Sequence, residues 1–273
     1  MCGRFAITLP PEAVRAFFRY VEQPNFPPRY NVAPTQPVPV VRLERDPDGE
    51  KRRHLVLARW AFTPGFVKDP KDFPLVINAR SETVLEKPSF RAAMRRRRCV
   101  FVADAFYEWR RPPAGEGGGR DKRPAQPFLI RRRDGAPLAL AGLWETWTGP
   151  NGEEVDGACV LTTRANAFMS AVHDRMPVIL DPQDFDRWLD TDAHDAEEAQ
   201  ALCAPLPEDA LEMWPISTAV NKVANDEPGV QTPLGPPLTA QDEDQRQDQR
   251  QESREETVPT PPRAAPRQGD LFD

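Results

Sequence analysis

The chain has 273 residues, of which 39% are hydrophobic, so it is long enough to bury a substantial core. It lacks any run of about 18 apolar residues, which excludes a membrane-spanning helix and favours a cytoplasmic, nucleoid-associated protein. The net charge is −6, yet residues 1–180 carry 29 Lys and Arg against 20 Asp and Glu, so this portion can offer a basic face to phosphates.

Apolar periodicity predicts a mixture of helices and strands along the first 204 residues. In chain order the expected elements are a helix over 10–21, a hairpin of strands 38–43 and 53–62, a helix over 90–98, strands over 99–106, 128–133, 138–144 and 157–163, and helices over 166–171, 184–190 and 193–204. The Gly-rich interval 112–127 is expected to be a loop inserted in a hairpin. Residues 229–273 are rich in Pro, Gln and charged residues, which predicts a domain over 1–228 followed by a disordered tail.

The four cysteines show neither a CxxC pair nor metal-ligand spacing, so we expect reduced thiols, no metal and no cofactor. Cys2 is unusual because removal of Met1 would leave its α-amine beside its thiol. The amine condenses with an aldehyde to an imine, and the thiol then closes a five-membered thiazolidine. The alternative is that Cys2 is a small buried hydrophobe. Gly3 and Arg4 favour the reactive interpretation, since Arg4 offers a fork for phosphate next to the nucleophile.

Further polar residues follow apolar runs and are candidates for the same site. Asn78 and Arg80 come after an apolar stretch, where an amide can bind a sugar and a guanidinium a phosphate. Glu108 is flanked by aromatic residues that would raise its pKa and suit it to proton transfer, although it could simply face water. His173 is a proton-transfer candidate, with a structural histidine as the alternative. The arginine run 95–98 could bind phosphates or cap a helix.

Seven motifs occur in one order between residue 2 and about residue 228. They are Cys2-Gly3-Arg4-Phe5, Tyr30-Asn31-Val32-Ala33-Pro34-Thr35, Arg59-Trp60 with Pro64, Asn78-Ala79-Arg80-Ser81-Glu82, Phe106-Tyr107-Glu108-Trp109, His173-Asp174-Arg175-Met176-Pro177, and Val220-Asn221 with Asn225-Asp226. With this set the chain resembles the SRAP family, the SOS-response-associated peptidases or abasic-site-processing proteins. The resemblance implies an α+β fold, a single mixed domain with a β-rich, barrel-like core flanked by helices, and a basic DNA groove.

The resemblance also implies an activity and a set of site residues. The family relationship suggests autoproteolytic, peptidase-type removal of Met1 and a lyase-like covalent cross-link between Cys2 and ring-opened abasic sites in single-stranded DNA. The implied catalytic residues are Cys2, Asn78, Glu108 and His173. The implied DNA-binding residues are Arg4, Arg80, Trp60, Phe66 and Thr162, with Trp60 and Phe66 near exposed bases.

Two other functions remain open at this point, and the tail suggests a partner. N-terminal-nucleophile amidohydrolases also begin with Met-Cys-Gly, but here Ala61 is followed by Phe62 and lacks the Thr-His expected of that class. A non-covalent reader of modified DNA would use the same basic face. Residues Gln268, Leu271 and Phe272 fit a QxxLF pattern typical of ligands of the bacterial sliding clamp. We expect a monomer.

Overall fold

The computed structural model describes residues 2–112, 124–240 and 242, which form strands and short helices. The strands are β1 (Phe5–Ile7), β2 (Arg29–Val32), β3 (Pro37–Arg45), β4 (Lys51–Arg59), β5 (Asn78–Arg80), β6 (Arg98–Ala103), β7 (Ala105–Arg110), β8 (Gln126–Arg132), β9 (Leu138–Thr148), β10 (Glu154–Arg164), β11 (Arg175–Pro177), β12 (Ile179–Leu180) and β13 (Leu211–Pro215). The α-helices are α1 (Pro11–Phe18), α2 (Pro88–Arg96), α3 (Ala167–Ser170), α4 (Phe185–Leu189) and α5 (Ala196–Ala201). Short 3₁₀ helices lie at Pro70–Asp72, Ser81–Thr83, Pro182–Asp184, Glu208–Ala210, Thr218–Asn221 and Pro228–Gln231.

Five strands close into a barrel in the order β10, β4, β3, β6, β9 and back to β10. The joint between β4 and β10 is a parallel contact in which Gly157 pairs with Arg59. A Cβ at Gly157 would lie 2.4 Å from the carbonyl oxygen of Ala61, so closure at this point requires glycine. The barrel strands carry much of the apolar core, including the fully buried Phe101 and Leu140.

A second, antiparallel sheet has the strand order β13-β8-β7-β1-β2 and holds the N-terminus. In this sheet β1 lies between β2 and β7, with Phe5 opposite Phe106. Continuing this register toward the N-terminus brings residues 2–4 alongside residues 107–109. Two short strands, β5 and β11, pair with the second half of β10 and extend the barrel wall there.

The helices cover the barrel, as the amphipathic pattern predicts. Pro11 begins α1, whose buried residues Val14 and Phe18 face the core, and the left-handed Arg19 with φ 57° ends it. The ring of Phe18 stacks on Phe185 of α4 at a centroid distance of 5.7 Å. Burying such a side chain contributes about 1.5–3 kcal/mol. The α+β class and the barrel-like core predicted from the sequence are confirmed.

Some element boundaries differ from the sequence-based expectation. The strand expected over 99–106 is divided into β6 and β7 at Asp104. Its carboxylate accepts hydrogen bonds from the backbone N–H of Thr8 at 2.5 Å and of Leu9 at 2.7 Å, and this draws the chain out of one sheet and into the other. The first hairpin exists as predicted, although β4 ends at Arg59 rather than residue 62. Residues 113–123 of the expected Gly-rich loop lie outside the described residues.

The packed domain continues past residue 228, where we expected the tail to begin. Leu238 pairs with Met213 of β13, its N–H donating to the Met213 carbonyl at 2.8 Å, and Val230 is buried. The apolar residues Val230 and Leu238 explain the difference, because they pack against the second sheet despite the Pro-rich composition around them. Residues 243–273, with the clamp-like motif, lie outside the described residues. Across the described ranges, no helix has both the length and the apolar character to cross a membrane.

Candidate functional site

The site centres on Cys2, which lies three residues before β1 and is completely buried. Its carbonyl oxygen accepts a hydrogen bond from the Asn78 side-chain Nδ2 at 2.9 Å. Two residues further on, the Arg4 carbonyl accepts from the Tyr107 backbone N–H at 3.0 Å, which continues the pairing of β1 with β7. Cys2 is therefore fixed between two strands, although it belongs to neither.

Asn78 reaches Cys2 because β5 runs parallel to β10, with Asn78 opposite Val160. The other atom of its amide, Oδ1, is buried and has no hydrogen-bond partner among the described residues. A buried acceptor without a donor costs about 1–3 kcal/mol. Asn78 Oδ1 is thus available to accept a hydrogen bond from a ligand or from an amine N–H.

Glu108 lies on β7 beside the N-terminal residues and is 3% exposed. Burial raises the pKa of its carboxyl group, while the charge of His173 acts in the opposite direction. The charge on Glu108 in turn contributes to the raised pKa of the Cys2 thiol. Glu108 therefore lies within electrostatic reach of both Cys2 and His173.

His173 follows α3 and precedes β11, and hydrogen bonds fix this connection. Its Nδ1 accepts from the backbone N–H of Arg175 at 3.0 Å and lies 2.9 Å from a carboxylate oxygen of Asp174. The Arg175 guanidinium makes two hydrogen bonds to the Glu82 carboxylate, at 2.6 and 2.9 Å. This bidentate pair ties the His173 segment to the residues that follow β5, so His173 and Asn78 belong to one rigid edge.

The environment of Cys2 determines which nucleophile it can offer. Burial is the largest cause of the raised pKa of its thiol, and the charge of Glu108 adds to it. Thiolate, and not thiol, is the reactive form of cysteine in most reactions. The thiol therefore stays protonated at neutral pH and is poorly suited to attack first.

Four proposed DNA-contacting residues occupy different environments. Arg80 and Phe66 are exposed, and 64% of Phe66 is accessible. Trp60 is completely buried, with its Nε1 donating to the Ile77 carbonyl at 3.0 Å and its ring 4.8 Å from that of Phe5. This corrects the expectation that Trp60 lies near exposed bases, because its indole packs in the core. Thr162 is also buried, in β10 between β5 and β11, so it offers no surface to DNA.

The arginines near the site divide between structural and exposed positions. Nη1 of Arg4 donates to the side chain of Asn31 at 2.6 Å and to the Val220 carbonyl at 2.8 Å, so this nitrogen is engaged within the protein, and the phosphate contact expected of Arg4 stays a prediction. In the run 95–98 only the first two side chains are exposed. Arg97 pairs with Glu145 at 2.6 Å, and Arg98 is buried with its guanidinium directed at backbone carbonyls, those of Trp188, Met94, Asp195, Asp190 and His194.

The sequence interpretation assigned no role to Asn31, yet this side chain is completely buried next to Arg4. Its Nδ2 lies 3.1 Å from the Val220 carbonyl and 2.8 Å from the Asn225 carbonyl. The available signal was a strongly polar residue between apolar positions in a short strand. Within the described ranges, no group of three or more His, Cys, Asp and Glu side chains is arranged to hold a metal ion.

The fold and the site together define a mixed barrel protein with a buried cysteine and a buried carboxylate near its N-terminus and a half-buried histidine within electrostatic reach of the carboxylate. The sequence profile of the SOS response associated peptidase (SRAP) family matches residues 1–223. The chain therefore belongs to the SRAP family, and the resemblance seen in the seven motifs is confirmed.

Named relatives and solved structures are similar over most of the chain. Abasic site processing protein YoqW of Bacillus subtilis (strain 168) is 35% identical over 84% of this chain and 97% of its own length. Abasic site processing protein HMCES of Xenopus tropicalis is 31% identical over 88% of this chain and 82% of its own. A crystal structure of a Bacteroides thetaiotaomicron protein shares the fold, with a TM-score of 0.71 at 22% identity over 86% of this chain and 100% of that one. A Bordetella bronchiseptica structure has a TM-score of 0.64 at 26% identity, over 79% and 100%.

Proposed function

We propose that this protein processes abasic sites in single-stranded DNA by forming a covalent thiazolidine between Cys2 and the ring-opened sugar. The observation that carries the proposal is the convergence of Asn78 and Glu108 on Cys2, with His173 within electrostatic reach of Glu108. The substrate class is supported by the similarity to YoqW and HMCES, both named abasic site processing proteins. A peptidase activity of the same fold would first hydrolyse the Met1–Cys2 bond, consuming one water and freeing the α-amine.

The reaction starts with the amine because the buried thiol stays protonated. A free α-amine has a pKa of about 7.7–8.0, so a useful fraction is neutral at physiological pH. It attacks the aldehyde carbon C1′ of the open sugar, and the resulting carbinolamine loses water to form an imine. The thiol then adds to the same carbon, and its proton moves to the nitrogen. The products are the thiazolidine and one water, without any change in oxidation state.

Each polar neighbour has a task in this sequence. Glu108, with its raised pKa, donates a proton to the departing hydroxyl of the carbinolamine and can receive one from the thiol. The buried Asn78 Oδ1 accepts from the amine or a sugar hydroxyl. His173 assists opening of the closed sugar by proton transfer.

The exposed cations and one aromatic ring provide the DNA surface. Arg80 follows Asn78 by two residues in β5 and would hold a phosphate beside the lesion, and the exposed Arg95 and Arg96 extend the basic face. Phe66 offers an exposed ring on which an unpaired base can stack.

Residues 268–273 would add a tether to the sliding clamp. Deleting them should abolish clamp binding, and unchanged binding would contradict that assignment.

The test is incubation with a single-stranded oligonucleotide that carries one abasic site, followed by a denaturing gel. We expect a heat-stable adduct from the parent protein and none from Cys2→Ala. Cys2→Ser should give only an imine, visible after borohydride reduction. Cys203→Ala, which removes another buried thiol, is the matched control and should behave as the parent.

The outcomes also separate the other two functions. Affinity for abasic DNA without any adduct would favour a non-covalent reader, and glutamine hydrolysis without an adduct would favour an N-terminal-nucleophile amidohydrolase. Intact mass spectrometry shows whether Met1 has been removed. Adduct formation by a protein that retains Met1 would contradict the amine-first chemistry.

A further inference from the structure

A segment that follows β13 of the second sheet crosses back to the N-terminal residues. We call residues 218–231 the C-terminal strap; it comprises the 3₁₀ helices Thr218–Asn221 and Pro228–Gln231 and the residues between them. Its contacts lie on β2, on β7 and on Arg4. Since β1 is only three residues long and residues 2–4 precede it, Cys2 depends on such contacts for its position.

Asn31 of β2 is the hub of the contact between the strap and the N-terminus. Its Oδ1 accepts from Arg4 Nη1, while its Nδ2 lies within hydrogen-bond distance of strap carbonyls, at 3.1 Å from that of Val220 and 2.8 Å from that of Asn225. Arg4 Nη1 also reaches the Val220 carbonyl directly, at 2.8 Å. A buried amide and a guanidinium satisfied in this way hold the backbone two residues from Cys2.

Asp226 fastens the strap to β2. Its Oδ1 accepts from the backbone N–H of Tyr30 at 2.5 Å and of Asn31 at 2.8 Å, and its Oδ2 lies 3.0 Å from Nε of Arg29. These are charge-assisted hydrogen bonds to an otherwise open strand edge, and such bonds are stronger than neutral ones. Asp226 thereby fixes the backbone of Asn31, and through it Arg4.

The strap also holds the strand that carries Glu108. Trp109 Nε1 donates to the Asn221 side chain at 2.7 Å, and Gln231 Nε2 donates to the Tyr107 hydroxyl at 2.9 Å. Tyr107 and Trp109 are the two chain neighbours of Glu108. One segment therefore contacts both Arg4, two residues from Cys2, and the strand that carries Glu108, so it contributes to the relative position of Cys2 and Glu108.

We propose that the C-terminal strap positions Cys2 for reaction, with Asn31 and Asp226 as positioning residues that touch neither DNA nor the reacting atoms. The strap acts by holding Arg4, so its loss leaves the barrel folded and releases the first residues of the chain. The consequence for cross-linking rests on the proposed function. The consequence for the exposure of Cys2 does not.

The experiment uses the full chain with Asp226→Ala, and with Asp226→Asn as the conservative variant that keeps an acceptor oxygen for both backbone N–H groups. Glu208→Ala removes an exposed carboxylate elsewhere and is the matched control. The first readout is the rate of iodoacetamide alkylation of each cysteine, measured by peptide mass spectrometry. Asp226→Ala should accelerate alkylation of Cys2 about 10-fold, as expected for local opening, and leave Cys99 and Cys159 unchanged.

The second readout is the rate of adduct formation at saturating abasic DNA, beside the affinity for DNA that carries a tetrahydrofuran analogue without an aldehyde. We expect a roughly 10-fold slower rate for Asp226→Ala, unchanged affinity, and recovery in Asp226→Asn. If Cys2 of the Asp226→Ala variant is alkylated at the parental rate, or if Cys99 and Cys159 are accelerated equally, the proposed role of the strap is wrong. If the parent forms no adduct, the proposed function fails, but the alkylation rates still test whether the strap positions Cys2.

Discussion

Replacing Glu108 with glutamine should raise stability while it lowers activity. Glu108 is 3% exposed, and burial raises the pKa of its carboxyl in the folded protein. A group with a raised folded-state pKa contributes stability that is present below its unfolded pKa of about 4.3 and is lost as pH rises through the folded pKa. Above the folded-state pKa the charged carboxylate therefore opposes folding, and a neutral amide of the same shape removes that cost.

The size of both effects follows from this position. Proton transfer by a positioned side chain accelerates a reaction about 10²–10⁴-fold. Glu108→Gln should therefore slow adduct formation by that factor, which corresponds to an activation barrier higher by ~2.7–5.4 kcal/mol. Replacing a destabilising functional group commonly adds about 0.5–2 kcal/mol of stability, or a few degrees in Tm. Affinity for single-stranded DNA should not change, because the buried carboxylate has no surface for it.

The assay compares thermal unfolding of parent and variant at pH 5 and pH 8, with adduct time courses on denaturing gels. The gap in Tm should be larger at pH 8, because the Glu108 carboxyl of the parent is ionised to a greater extent there than at pH 5. Glu212→Gln, on β13 of the same sheet, is the matched control; its carboxylate pairs with Arg131 at 2.7 Å. A gap in Tm that does not grow with pH, or a variant that cross-links at the parental rate, would refute the reasoning.

Other substitutions separate structural from DNA-contacting residues. Trp60→Ala should lower the free energy of unfolding, measured in urea, by ~3–5 kcal/mol, because it leaves a cavity in the core. Phe66→Ala should change stability by less than ~0.5 kcal/mol and weaken single-stranded DNA binding by ~1–3 kcal/mol in fluorescence anisotropy. Arg98→Ala should destabilise by at least ~3 kcal/mol, because it leaves buried carbonyls without donors. Arg95→Ala and Arg96→Ala should leave Tm unchanged and each reduce the salt dependence of DNA binding by a slope of about 0.7. Unchanged salt slopes would remove the run from the DNA surface.

Local patterns in the sequence predicted the elements but not how they close. The hairpin of β3 and β4 follows from alternation and a turn containing Gly49, whose φ is 91°. The barrel, however, is completed by a parallel contact between Gly157 and Arg59, which are far apart in the chain. No periodicity encodes that pairing. The division at Asp104 was missed for a similar reason, since it depends on hydrogen bonds from Thr8 and Leu9.

The motifs indicated candidate site residues and left their exposure undetermined. Trp60 and Phe66 are six residues apart and equally aromatic, yet one is fully buried and the other 64% exposed. β4 ends at Arg59, and the chain then bends, so strand alternation no longer fixes which way a side chain points. The arginine run behaves likewise, because α2 ends at Arg96 and β6 begins at Arg98.

The burial of Cys2 makes sense as a means of chemical selectivity. An exposed thiolate would react with oxidants and disulfides, whereas the raised pKa of the Cys2 thiol suppresses that general reactivity. In the proposed reaction the thiol needs to attack only a carbon already bound to the neighbouring nitrogen. Such an intramolecular step gains an effective molarity of order 10⁵ M or more, which compensates for a weak nucleophile. The same burial that makes the thiol unreactive toward other partners therefore leaves ring closure on a captured aldehyde possible.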